Sequence, residues 1–205
     1  MSVALGAIVG VAENGNSAEL VTVGPGHQVV DRRRVELTHG LPTHPHHHEG
    51  SWAVGRYRDT AWSRDVSLKE ALALIETVRD AAAQGAREAL ALVASRLALP
   101  IRAIAIRACP DLPATAEERI RDNRAQSMAD SVMYRQALAN AAAGLGWRVH
   151  WYARERAFAD AAAVVGCDDI DAFLREIGRK LGPPWQARHK LATAAAIAAM
   201  GDGNA

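Results

Sequence analysis

Three short β-rich runs, Val3 to Ala12, which is apolar throughout, then Ala18 to Val23 and Gln28 to Leu37, where polar residues are interspersed, open the chain. Each is rich in β-branched residues and bounded by turn residues, so each reads as a strand. Asn14-Gly15 separates the first two; both residues tolerate positive φ, which marks a hairpin. Gly24-Pro25-Gly26 breaks the chain again before the third run. An antiparallel meander is expected. From Thr38 to Arg64 neither the strand period nor the helix period is present, and Pro, Gly, His and Trp dominate. This predicts a long loop over about 38–66, the kind of segment that often carries function in a compact domain.

The pattern changes at Ser67. Ser67 and Glu70 have the spacing of a capping box, and Leu68, Leu72, Ile75, Val78 and Ala82 then recur at helical intervals, predicting a helix to about Leu97. Pro100 to Ala108 alternates apolar with basic residues as a fourth strand, stopped by Pro110 and Pro113. Thr115 and Glu118 form a second capping box and predict one unbroken helix to Gly144. Trp147 to Ala153 is the fifth strand. Helices are expected over Phe158 to Val165, Ile170 to Leu181 and, after Gly182, Pro184 to Met200.

Composition narrows the class. A length of 205 residues with 49% hydrophobic content suits one domain spanning 1–205 with a sizeable core. Lys+Arg 24 against Asp+Glu 23 leaves a net charge of +1, so no global field draws the chain to nucleic acid or membrane. Such a partner must meet a local patch. Cys109 and Cys167 are far apart with no CxxC, which points to packed thiols in a reducing compartment. Val3 to Val11 lacks the basic flank of a signal peptide and is too short to span a bilayer, so the expectation is a cytoplasmic protein with no membrane partner.

The order of elements is three antiparallel strands, a helix, a strand, a helix, a strand and terminal helices, and it is similar to that of the RNase H-like superfamily. The opening IVGVAENG (Ile8 to Gly15) resembles the first strand and turn of the Holliday-junction resolvase branch, and HKLATAAAIAAM (His189 to Met200) resembles its last, alanine-rich helix. The resemblance implies an α/β fold whose mixed five-stranded sheet, a three-strand meander plus two further strands, is flanked by helices. It also implies nucleic acid as partner. In active members, acidic residues on strand one, near the end of strand four and on the last helix hold two divalent cations that stabilise the attacking and leaving oxygens. Here the first of those positions falls on Ala12. Glu13 is beside it, but neighbouring strand residues face opposite ways. The strand-four position falls near Arg107 or Ala108, with Asp111 the nearest acid, and the helix position falls on Thr193, with His189 one turn earlier. Glu13, Asp111 and His189 are therefore the catalytic candidates, and magnesium is expected to bind poorly.

Two constellations lie in the long loop. His44, His46, His47, His48 and Glu49 follow His39. In an extended segment His44, His46 and His48 project to one side, so these three with Glu49 form a candidate site for zinc, nickel or iron, with zinc or nickel the expected divalent metal. The other reading is a solvated loop whose histidines bond to main-chain carbonyls. Further on, Trp52, Arg56, Arg58 and Arg64, interleaved with Tyr57 and Trp62, are of the type that stacks on bases and pairs with phosphates. They would equally pack the loop onto its own domain.

Elsewhere, Arg32 and Arg34 share one face of strand three, as on a charged edge strand. Asp130, Tyr134 and Arg135 sit about one turn apart on the second long helix, where pairs with neighbouring elements are commoner than a cleft. His150 reads as half-buried on strand five. No P-loop, GxGxxG or GxSxG is present. Three readings follow: an RNase H-like protein that binds or acts on nucleic acid, a transition-metal-binding protein or metal-dependent hydrolase using the His44 to Glu49 loop, and a catalytically silent scaffold with a protein partner. The alanine-rich helices would permit a homodimer.

Overall fold

A computed structural model describes residues 6–46 and 67–201. Its five-stranded sheet has the order β3-β2-β1-β4-β5. β1 (Ala7–Asn14), β2 (Ser17–Val23) and β3 (Val29–Glu36) form the expected antiparallel meander, and β4 (Ile101–Arg107) and β5 (Arg148–Tyr152) extend it in parallel from β1. The hairpin turn sits one residue later than Asn14-Gly15 suggests. Asn14 already pairs with Ser17, so Gly15 and Asn16 make the turn, with Gly15 at φ 57°. Asn16 then ties that turn to the exit of β3. Its side-chain amide donates to the Thr38 carbonyl and hydroxyl, and its own carbonyl accepts from the Leu37 amide.

Helices cover both faces. α1 (Leu68–Arg96) and α3 (Asn123–Gly144) lie on one face over Val9, Val11, Leu20, Ile104 and Ile106. α4 (Ala157–Val165), α5 (Ile170–Leu181) and α6 (Ala187–Gly201) cover the other, over Ile8, Ala12, Val21, Ala103 and Ala105. The two-residue alternation thus sorts each strand between two cores. Both capping boxes form, at Ser67 and at Thr115. The helix expected to run unbroken from Thr115 is instead divided into α2 (Ala116–Arg121) and α3. Asp122 terminates the first and caps the second by accepting from the Arg124 and Ala125 amides at 2.8 and 2.7 Å. A short acceptor side chain favours the cap over the helix interior, and that preference outweighs the continuing apolar period.

The contact between α6 and the sheet is unusually close. A Cβ at Gly10 would lie 1.8 Å from the Ala192 carbonyl oxygen, so only glycine on β1 admits the helix at this depth. Alanines at 192, 195, 196 and 199 complete the contact. Arg32, on the edge strand β3, fastens the connection between α5 and α6 from outside. Its guanidinium donates to the carbonyls of Gly182, Pro184 and Pro183 at 2.9, 2.6 and 3.1 Å. Among the described residues no helix is long and apolar enough to cross a membrane.

Candidate functional site

At the carboxyl ends of β1, β4 and β5 the strands leave the sheet together, and hydrogen bonds join them. The Tyr152 hydroxyl donates to the Val11 carbonyl at 2.8 Å, and the Ala108 amide donates to the Tyr152 carbonyl at 2.8 Å. Arg135 approaches from α3. Its Nε donates to Glu13 Oε1 at 2.7 Å, its Nη2 bonds the same oxygen, and its Nη1 donates to the Ala108 carbonyl at 3.0 Å. Arg135 is only 5% exposed.

Beside this pair opens a cleft of about 440 Å³, lined by Arg107, Cys109, Ser127, Ser131, Arg135, Arg154 and Glu155 among others. Three guanidinium groups there outweigh the carboxylates of Glu13 and Glu155, so the cleft is locally basic although the chain is nearly neutral. Burial pushes the Tyr152 hydroxyl well above its ordinary range; Glu13 adds to this, while Arg107, Arg135 and Arg154 oppose it. Burial also raises the Cys109 thiol, against the opposing pull of Arg135, so that thiol is a poor nucleophile.

The catalytic candidates do not meet. Glu13 faces α3 and is bound to Arg135, whereas Ala12 faces the opposite way into the apolar cluster with Tyr152 and α6. Asp111 is exposed on the segment after β4. His189 is buried at the start of α6, where Nδ1 accepts from the Gln186 amide at 3.1 Å, Nε2 lies 3.5 Å from Glu19 on β2, and the ring stacks on Trp185. Thr193 is fully buried and donates its hydroxyl to the His189 carbonyl. Two-metal chemistry needs several carboxylates converging on one point. At the positions that the resemblance marks stand an alanine with no donor atom, an arginine-bound glutamate beside it, and a threonine committed within its own helix, a set that does not fit a pair of hard cations. Among the described residues no three His, Cys, Asp or Glu side chains are grouped to hold a metal.

The histidine loop divides. His47, His48 and Glu49 lie outside the described residues, as do Trp52, Arg56, Tyr57, Arg58, Trp62 and Arg64. His44 and His46 are brought to Asp130 of α3. His46 Nδ1 lies 2.6 Å from Asp130 Oδ1, its amide donates to the same oxygen at 3.2 Å, and His44 Nδ1 lies 3.6 Å from Oδ2. Burial works against the Asp130 charge, but the hydrogen bonds from both histidines hold its carboxyl below the usual range. The same hydrogen bond raises His44. His46 is 2% exposed, and its Nε2 is buried without a hydrogen-bond partner among the described residues. One turn along α3, the Tyr134 hydroxyl donates to the Thr43 carbonyl at 3.0 Å.

Asp130, Tyr134 and Arg135, neighbours on the polar positions of α3, all pair with other elements. No local pattern marks Glu13 as the partner of Arg135, or brings Arg107, Ser127, Ser131 and Arg154 into one cleft. Local signal for that convergence was lacking, because the residues come from three separate segments.

The architecture is an α/β fold of the RNase H-like kind. Two solved structures of RuvC from Thermus thermophilus superpose on it across nearly the full length of both chains. RuvC in complex with a Holliday junction substrate matches with a TM-score of 0.54 and 14% identity, covering 94% of this chain and 90% of that one. A second RuvC structure matches with a TM-score of 0.51 and 12% identity, covering 97% and 96%. No family model matches the sequence, and no curated protein matches it.

Proposed function

We propose that this protein binds nucleic acid through its sugar-phosphate backbone, in the basic cleft at the carboxyl ends of β4 and β5, without two-metal hydrolysis. The observation that supports this reading most is the gathering of Arg107, Arg135 and Arg154, with the hydroxyls of Ser127 and Ser131, at the sheet end where the resemblance would have put metal-holding acids. Arginines pair with phosphate oxygens in a fork and serine hydroxyls donate to them, whereas clustered carboxylates would repel them without metal. The structural likeness to a RuvC solved with a Holliday junction makes a four-way DNA junction the first probe. Duplex and single-stranded DNA and RNA are the comparisons. The test is fluorescence anisotropy across a salt series. The junction should bind with a negative dependence of log K on log salt, and Arg107→Ala with Arg154→Ala should make that slope shallower by about 2, close to one for each phosphate that is no longer neutralised. Unchanged binding by the double variant would remove the cleft from the reading.

A second reading keeps the histidine loop as a transition-metal site. Its support is Asp130, whose carboxylate bonds Nδ1 of His46 and lies 3.6 Å from Nδ1 of His44, the kind of carboxylate–imidazole pairing that orients histidines on a borderline metal such as zinc or nickel. His48 and Glu49 complete the set proposed from the sequence. Metal content of protein purified without an affinity tag tests it. Stoichiometric zinc or nickel that disappears in His44→Ala/His46→Ala supports the site; retention by that variant, or no metal in the wild type, excludes it.

A further inference from the structure

We propose that Arg135 is a resident cation, whose guanidinium stands between the carboxyl ends of β1 and β4 in place of a divalent ion and makes the cleft a metal-independent site for a phosphate group. Glu13 ends β1 and Ala108 follows the neighbouring parallel strand β4, and the Glu13 carboxylate and the Ala108 carbonyl both accept from the one guanidinium of Arg135. A carboxylate beside a main-chain carbonyl is the start of a hard-cation site. Between the two stands the buried guanidinium of Arg135, a planar cation with several donors held in fixed directions. Three of its five N–H donors go to Glu13 and Ala108.

The exchange of metal for guanidinium has two chemical consequences. A fixed single positive charge cancels Glu13, so a phosphate drawn in by Arg107 and Arg154 meets no net repulsion from the cleft floor. The same charge cannot lower the pKa of a bound water as a divalent metal does, so it gives the site a grip on phosphate but no hydroxide. This inference takes its ligand class from the nucleic-acid reading, but the replacement of a cation by Arg135 is measurable without any nucleic acid.

The experiment is a calorimetric titration of the full chain with manganese, backed by circular dichroism to establish folding. Wild type should bind no manganese in a way that depends on Glu13, judged against Glu13→Gln. Arg135→Gln leaves Glu13 and the Ala108 carbonyl without their cation, and should gain one manganese site that the double variant Glu13→Gln/Arg135→Gln lacks. With the four-way junction as probe, wild-type affinity should be the same within about twofold in EDTA and in magnesium. Arg135→Gln should weaken it about tenfold, since a buried charge is left facing an anion, and the loss should be reversed by manganese or by the added Glu13→Gln. A Glu13-dependent manganese site in the wild type overturns the proposal, as does a folded Arg135→Gln that gains none. Should Arg135→Gln fail to fold, the wild-type comparison with Glu13→Gln still decides the matter. Manganese behaviour as expected without junction binding would refute the nucleic-acid reading alone.

Discussion

Asp130 shows how one carboxylate can organise a loop. It is 3% exposed, yet it keeps its charge because His44 and His46 both bond to it. The two partners shift in opposite directions, which sets a pH window. His44 is raised, so its contribution is fully present below its unfolded value of about 6.5 and is lost as pH rises through its higher folded value. Asp130 is lowered, so its contribution is present above about 3.9 and is lost as pH falls through its folded value. The clasp between the 38–46 segment and α3 should therefore be strongest between about pH 4 and 6.5. Titration of the His44 ring by NMR should give a midpoint above about 6.5 that falls in Asp130→Asn, where burial acts without the carboxylate. Asp130→Ala should cost about 1–3 kcal/mol in denaturant unfolding at pH 5.5, since it leaves His46 Nδ1 buried without its acceptor. A midpoint unmoved by Asp130→Asn would mean that the pair does not govern the loop.

At the scale of elements, the seat of α6 on β1 depends on a missing side chain. Gly10 faces the Ala192 carbonyl so closely that any Cβ must push the helix away from the sheet. The displaced surface is the alanine layer from 192 to 199, packed against Ile8, Ala12 and Val21. Gly10→Ala should therefore cost about 3 kcal/mol or more, at the upper end of overpacking effects, read as a lowered denaturant midpoint with an unchanged slope. The equivalent change at Gly144, whose Cβ would meet nothing within 4 Å, is the control and should be mild. Equal stability of the two variants would show that α6 does not sit at this depth.

On the scale of the whole molecule, the fold and the chemistry usual for it come apart. The sheet order and the two helical layers are those of an RNase H-like fold, while the positions at which the resemblance implies metal-holding acids, Ala12, Arg107 or Ala108, and Thr193, carry no carboxylate. Magnesium-dependent cleavage of a junction or duplex should be absent or feeble, and Asp111→Asn should leave any residual rate unchanged because Asp111 is exposed and takes no part in Glu13's pairing with Arg135. A time course with each variant, in magnesium and in manganese, checks this. Robust cleavage abolished by Asp111→Asn or Glu13→Gln would show that a working acid pair exists after all.

Local chemistry determined most of the elements. Strand alternation, the two capping boxes and the turn residues between them act over a few neighbours, so they were legible along the chain, and the topology followed once their order was known. The break at Asp122 was written in the same local terms, as a capping residue inside an apolar period. What only the tertiary structure decided is which charges meet. Glu13 and Arg135 are separated by 122 positions, and His46 and Asp130 by 84, so no spacing announces either pair. Both pairs exist because β1, α3 and the 38–46 segment are packed against one sheet, where burial leaves a charge no stable option except a partner. The basic cleft has the same origin: its arginines come from β4, α3 and the segment after β5, and it exists only where those ends converge.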